Sequence, residues 1–182
     1  MTLYRKLDNS ELKRATLQEF REGKKFPFVV ILDNVRSQHN IGSAFRSADA
    51  FAAESVILCG ICATPPSAEI RKAALGAEES VVWSYYANTF DAVKELKEQG
   101  YRIVSVEQTE NSTSLDLFTP NADEKYAFIF GNEVKGVSQE VVDMSDFTLE
   151  IPQFGSKHSL NVSVSVGVVL WEVATAFQKH IK

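Results

Sequence analysis

Apolar residues gather in short runs along this chain: Phe28 to Leu32, Ser55 to Leu58, Val81 to Trp83, Tyr101 to Val106, Ala127 to Phe130 and Phe147 to Ile151. All are too short for a typical helix and largely apolar, and interleaved with helices they predict strands of a sheet covered on both faces. The segments between them carry helix spacing and helix punctuation. Ser10 is placed to cap a first helix running to Glu22, ended by Gly23. A second helix spans about Ile41 to Phe51, with Asn40 as its cap. "TPPSAEIRKAALGAEES" holds a short helix after Pro66 that Gly76 stops, and "TFDAVKELKEQG" a helix capped by Asn88 or Thr89 and closed by Gly100. About six strands interleaved with helices predict an α/β fold, a mostly parallel sheet covered by helices on both faces.

One stretch near the C-terminus fits two elements. In "SLNVSVSVGVVLWEV", apolar and small polar residues alternate from Leu160 to Val168, the pattern of a half-buried strand. The next positions, Leu170, Trp171, Val173, Ala174 and Phe177, have helical spacing, and no Gly-Pro punctuation separates the halves. As one helix, the stretch sets Ser159, Ser163 and Gly167 four apart, a stripe of small residues that admits a neighbouring backbone. Its valines would fill the other directions, burying it nearly all round. The residue pattern leaves strand and helix both open.

At 182 residues, with 45% hydrophobic and 24% charged, the chain has the size and composition of one globular domain. It contains no run of eighteen apolar residues, and "MTLYRKLDNSELKR" is charged rather than signal-like, so a cytoplasmic protein without a membrane segment is expected. The net charge of −5 is unevenly spread. Residues 1–25 hold seven Lys/Arg against four Asp/Glu, whereas residues 76–182 hold eight against sixteen. The basic segment is either a solvated helix face or a local phosphate-binding patch on an acidic protein.

Three constellations carry candidate chemistry. "NIGSAFRSADAF" follows the first strand's loop, where α/β proteins place ligands; alone, its Asn40 is a cap and its Arg46 a surface cation. In "FIFGNEVKGVS" a glycine ends a buried strand and a second glycine closes a polar loop, which suits close approach of backbone to a ligand. Gly131 and Gly136 have phosphate-loop spacing, but Val137 stands where that loop needs lysine, and no GxGxxG occurs, so nucleoside triphosphate and dinucleotide sites are disfavoured. "LEIPQFGSKHSLNVS" joins a strand to the ambiguous stretch and holds His158, in isolation more a bystander than a catalyst. Cys59 and Cys62 form "CGIC", whose plain reading is two reduced cysteines at a strand end.

Taken together and in this order, "NIGSAFR", "GNEVKG" and "IPQFGSKHSLNVS" resemble the signature of the SpoU/TrmH family of RNA ribose methyltransferases, in the SPOUT superfamily. The resemblance covers nearly everything from Phe28 onward. One departure is Gln153, where many members carry Met after the Ile-Pro. The resemblance implies a C-terminal trefoil knot, S-adenosylmethionine as cofactor without a metal, a homodimer with catalytic groups completed across the interface, and an RNA substrate, tRNA or rRNA. It divides the chain into a basic N-terminal helical extension, residues 1–25, and a methyltransferase domain, residues 26–182. It also implies a helix at "SLNVSVSVGVVLWEV", with its small-residue stripe packed tightly inside the knot.

Residue by residue, the resemblance assigns cofactor contacts to Gly131, Ile151, Leu160 and, less directly, Gln108. Arg46 becomes the principal catalytic residue, with Glu133, Ser159 and Asn161 lining the reaction centre. Arg36, Asn40, Lys13, Arg14, Lys24 and Lys25 are the expected RNA contacts. The implied reaction displaces a methyl group from sulfonium by a ribose 2′-oxygen, so the protein must orient the hydroxyl and help remove its proton. A guanidinium stays protonated at any working pH, which suits Arg46 to gripping phosphate and stabilising developing alkoxide. The alternatives are a SPOUT base methyltransferase, a non-catalytic RNA-binding relative and a redox protein built on Cys59 and Cys62. With only the basic N-terminal segment outside the domain, a compact tRNA or single stem-loop is favoured over an extended rRNA surface.

Overall fold

The computed structural model describes residues 4–181. Seven strands form one sheet: β1 (Phe26–Asp33), β2 (Ala53–Cys59), β3 (Trp83–Tyr86), β4 (Tyr101–Val106), β5 (Thr113–Ser114), β6 (Lys125–Phe130) and β7 (Phe147–Glu150). Their order is β3-β2-β1-β6-β4-β7-β5, and every neighbouring pair is parallel. Register aligns Val56, Val30, Phe128, Val104 and Phe147 in one row across five strands.

The continuous apolar runs have the cause expected of them. Along β1, Phe28, Val30 and Leu32 enter one buried cluster while Val29 and Ile31 enter another on the opposite face. The first face is covered by α2 (Gln38–Ala50), α3 (Ala68–Ala74), α4 (Ala77–Ser80) and α7 (Val162–Ile181). The second is covered by α5 (Thr89–Glu98) and α6 (Gln139–Val142). Burying each large apolar side chain contributes about 1.5–3 kcal/mol, so a strand such as β1 is held from both sides.

The C-terminal stretch is a helix. Asn161 ends the preceding loop, and its Oδ1 accepts from the Ser163 amide at 2.9 Å, capping α7. Ser159 therefore lies outside the helix. Position 167 is not a forced close approach: a Cβ there would meet only Ser47 Oγ, at an ordinary 3.7 Å. What seats α7 is its apolar side, with Phe177 packed on Phe26 and Phe28 at ring separations of 6.0 and 6.3 Å. Close approach occurs instead at Gly42, whose Cβ would stand 2.4 Å from the Ile70 carbonyl oxygen, so α2 and α3 touch backbone to backbone.

Four expectations shift. The first helix is not continuous from Ser10: a 3-10 turn, Asn9–Leu12, ends at Lys13 with φ 44°, and α1 (Leu17–Glu22) starts separately at Thr16. Thr16 and Glu19 form the reciprocal cap that defines this start. The second helix begins earlier, because Ser37 Oγ accepts from the Asn40 amide; Asn40 is inside the helix, not its cap. The third strand is Trp83–Tyr86, with Val81 serving as the end of α4. Gly76 opens α4 at φ 93°, after Leu75 has already ended α3 at φ 53°.

Candidate functional site

Because the strands are parallel, the carboxyl ends of β1, β6, β4 and β7 lie along one edge, where open α/β sheets hold ligands. The loops leaving β4, β6 and β7 enclose a cavity of about 590 Å³ there. Gly131 is indispensable to its wall. A Cβ at that position would lie 2.0 Å from the Gly136 carbonyl carbon and 2.1 Å from the Val137 nitrogen, so the loop folds back directly over residue 131. Gly136 turns at φ 69°, and its backbone exchanges hydrogen bonds with Asn132 at 3.0 and 2.9 Å.

Side chains fix this loop from three directions. Asn132 Oδ1 accepts from the amides of Val134 and Lys135, while its Nδ2 donates to the Asn34 carbonyl at 2.8 Å. Glu107 accepts from the amides of Val137 and Gln108, both at 3.0 Å, tying the β4 end to the β6 loop. Asp33, almost wholly buried, accepts from the Thr89 hydroxyl, the Asn34 amide group and the Ser138 backbone amide.

Glu133 joins the loop to α2. Its carboxylate accepts from the Arg36 and Ser37 backbone amides at 3.1 and 3.0 Å and from Asn40 Nδ2 at 3.0 Å. Partial burial by itself would raise its pKa. The hydrogen bonds from Arg36, Ser37, its own backbone and Asn40 outweigh that and hold the carboxyl below its usual range. Asn40 Oδ1 in turn accepts from Asn161 Nδ2 at 3.2 Å. A chain of contacts thus runs Glu133–Asn40–Asn161, drawing on all three sequence constellations.

The fold brings Gly131, Glu133, Gln108 and Ile151 into the lining of one cavity, with Ser159, Leu160 and Asn161. Arg46 does not line it; exposed on α2, it makes no hydrogen bond or ion pair among the described residues. Arg36 lies across the 132–136 loop, in a neighbouring hollow. In the N-terminal segment Lys13, Arg14 and Lys24 are exposed, but the Lys25 ammonium donates to the Phe20 carbonyl and sits over its ring. Arg21 likewise donates to the Glu79 carbonyl. Glu107 and Asn132 escape sequence reasoning, although Asn132 stands beside Gly131 and Glu107 beside Gln108. Cys59 and Cys62 are buried and unpaired, and burial pushes their thiols up to about 12 and about 11, far from a reactive thiolate. Among the described residues no cluster of His, Cys, Asp or Glu is placed to hold a metal ion, and no helix is long and apolar enough to cross a membrane.

A glycine-walled cavity at the carboxyl edge of a parallel sheet defines an α/β small-molecule site, bordered here by an amide–carboxylate network. The chain belongs to the SpoU rRNA Methylase family, which residues 27–171 match. It is 36% identical over 146 residues to the 23S rRNA (guanosine-2′-O-)-methyltransferase RlmB of Neisseria meningitidis serogroup B, covering 80% of this chain and 57% of that protein. The RlmB of Nitrosomonas europaea is 34% identical over 175 residues, covering 94% and 64%. The chain thus spans about three fifths of the length of these relatives. Among solved structures, the A. aeolicus TrmH/SpoU tRNA modifying enzyme superposes with a TM-score of 0.79 at 25% identity, covering 90% of this chain and 83% of that one. An AdoMet-bound rRNA methyltransferase from Sinorhizobium meliloti gives 0.76 at 26%, covering 90% and 60%.

Proposed function

We propose that this protein transfers a methyl group from S-adenosylmethionine to a ribose 2′-hydroxyl of RNA, a tRNA or rRNA. The observation that carries this reading is the convergence of three sequence-distant segments on one cavity, with the Glu133–Asn40–Asn161 contacts at its border. Names of relatives that act on rRNA ribose support it.

The cavity fits the cofactor. Its volume lies within the usual range for small-molecule sites. Phe130, Leu149, Ile151 and Leu160 supply apolar walls for a purine, and Gly131 leaves backbone groups exposed to it. Glu107, Glu133 and Glu150 outnumber Lys135 among the charged lining groups, which suits a sulfonium cation. Gly131, Ile151, Leu160 and Gln108 would hold the cofactor, which supplies an electrophilic methyl when bound. No metal is required by this reading.

The chain's own groups divide the remaining work. Glu133 has its oxygens engaged by three donors and a depressed pKa, which makes it a poor proton acceptor and a good organiser. It fixes Asn40, and Asn40 fixes the Asn161 amide at the rim. Asn161 and Ser159 are the groups positioned to orient the ribose hydroxyl. Arg46 brings a permanent positive charge for an RNA phosphate and for developing alkoxide.

We further propose a homodimer, because Arg46 is not among the residues lining its own cavity and α7 carries an exposed apolar stripe, Val164, Val168 and Trp171. Knotted threading of the 131–161 region belongs to the same reading, supported by β6 lying between β1 and β4 and by the shared fold of relatives. So does a cytoplasmic location, where such RNA is found. The test is incubation of purified protein with methyl-labelled S-adenosylmethionine and unmodified tRNA and rRNA, followed by digestion to nucleosides. A labelled 2′-O-methylnucleoside is expected. Label in a base assigns the protein to base methylation, and cofactor binding without transfer to either RNA assigns it to the non-catalytic relatives. Mapping 2′-O-methylation in RNA from cells lacking the protein then locates the nucleotide.

A further inference from the structure

Beside the cofactor cavity lies a second hollow of about 500 Å³, separated from it by the 132–136 loop. Asn132, Val134, Lys135 and Gly136 line both spaces, so this loop is a shared partition. Two apolar side chains stand in the hollow with little cover: Ile61, 61% exposed, and Val134, 80% exposed. The cations Arg36 and Lys135 line it too. Among the described residues the only carboxylate in its lining is Asp33, which is buried beneath three hydrogen-bond donors and presents no free oxygen. Exposed apolar side chains and two cations in one hollow, without an opposing free acid, offer contacts for the base and the phosphate of a nucleotide.

We propose that this hollow is a second nucleotide subsite, which receives a nucleotide of the RNA next to the one methylated. The proposal rests on the reading of the protein as an RNA methyltransferase, since the partition places the hollow one loop away from the cofactor. Ile61 and Val134 carry the base, while Arg36 and Lys135 take the phosphate. The loop is well suited to separate two adjacent nucleotides because it is pinned on both sides, by Glu107 from the cofactor side and by Asp33 through Ser138 from the other. Apolar contact of a base with these two side chains would give the enzyme a preference for sequence context without reading base edges.

The test is a titration of methyl-labelled protein followed by NMR, with S-adenosylhomocysteine saturating the cofactor cavity. The probes are adenosine 5′-monophosphate, adenosine and inorganic phosphate. The nucleotide is expected to shift the Ile61 and Val134 methyl signals, and to bind at least about fivefold more tightly than adenosine or phosphate. Ile61→Ala and Arg36→Gln, both outside the cofactor cavity's lining, should each weaken it by about fivefold while S-adenosylhomocysteine affinity holds. If the Ile61 and Val134 signals stay still while Ile151 and Leu160 respond to S-adenosylhomocysteine, the subsite is refuted and the methyltransferase reading survives. Phosphate binding as tightly as the nucleotide would reduce the hollow to an anion site and also overturn the proposal. Failure of S-adenosylhomocysteine to perturb Ile151 and Leu160 would instead count against the function on which the subsite rests.

Discussion

Glu133 and Asn40 stand 93 positions apart in sequence and 3.0 Å apart in space, Nδ2 to Oε1. That bond, with the two backbone amides on the same carboxylate, locks the β6 loop to the start of α2. Glu133→Ala strands those donors, although exposure of the region lets water replace part of the loss. A destabilisation of about 1 kcal/mol is expected in denaturant unfolding, with a larger effect on turnover than on cofactor affinity.

The same carboxylate gives a pH signature. Its folded-state pKa is held below the ordinary 4.5, so ionisation favours the folded protein. The stability advantage of wild type over Glu133→Gln should be complete above that ordinary value. It should shrink as pH falls below 4.5 and vanish once the pH passes the depressed folded-state value. Urea midpoints of both proteins across acid pH measure this, and a gap that widens on acidification would contradict it.

Gly131→Ala tests the cavity wall. The added methyl meets backbone rather than a movable side chain, so the loop must open. Overpacking of this kind costs about 1–3 kcal/mol, which predicts roughly tenfold to hundredfold weaker S-adenosylmethionine binding by calorimetry.

Arg46→Ala should leave calorimetric cofactor affinity unchanged, since Arg46 is outside the cavity lining. Its turnover should fall by about 10²–10³, the usual cost of removing a charged transition-state contact. Near-normal turnover would remove Arg46 from the reaction.

The N-terminal cations separate into two groups. Neutralising Lys13, Arg14 and Lys24 should lower the salt slope of RNA binding by about one unit for each phosphate left without its cation. Arg21 and Lys25 are engaged with the protein, so replacing them should loosen the docking of α1 and change the salt slope little. RNA affinity across a salt series distinguishes the sets; parallel lines for the first would make the segment a solvated face.

The strands were legible because residues such as Val29 and Val30 are buried on opposite faces, leaving no polar position to blur the run. Thr113–Ser114 escaped because a two-residue edge strand has no pattern of its own. Ser10 and Thr16 are equally good caps by residue type; the left-handed Lys13 between them decided the helix start, and the sequence carries no sign of it. In the site, the resemblance of three motifs to the SpoU/TrmH signature pointed to residues that line the cavity. Glu107 remained hidden because its role is defined by Val137, 30 positions later, whose amide it accepts.

The place of β6 in the sheet has a consequence for biosynthesis. Phe130 pairs with Leu32 on one side and Val106 on the other, yet β6 is made after both. While the ribosome is still upstream of Lys125, the nascent chain holds β1 and β4 with open edges facing a gap. Neither edge can be covered by its permanent neighbour until that strand emerges and enters between them. Long-range parallel pairing of this kind is slow, so the half-made chain keeps these two edges open to aggregation until residues 125–130 have left the exit tunnel. A protein built this way has reason to depend on chaperone cover during that interval, and until β7 and α7 follow to close the other edge of β4 and the first face of the sheet.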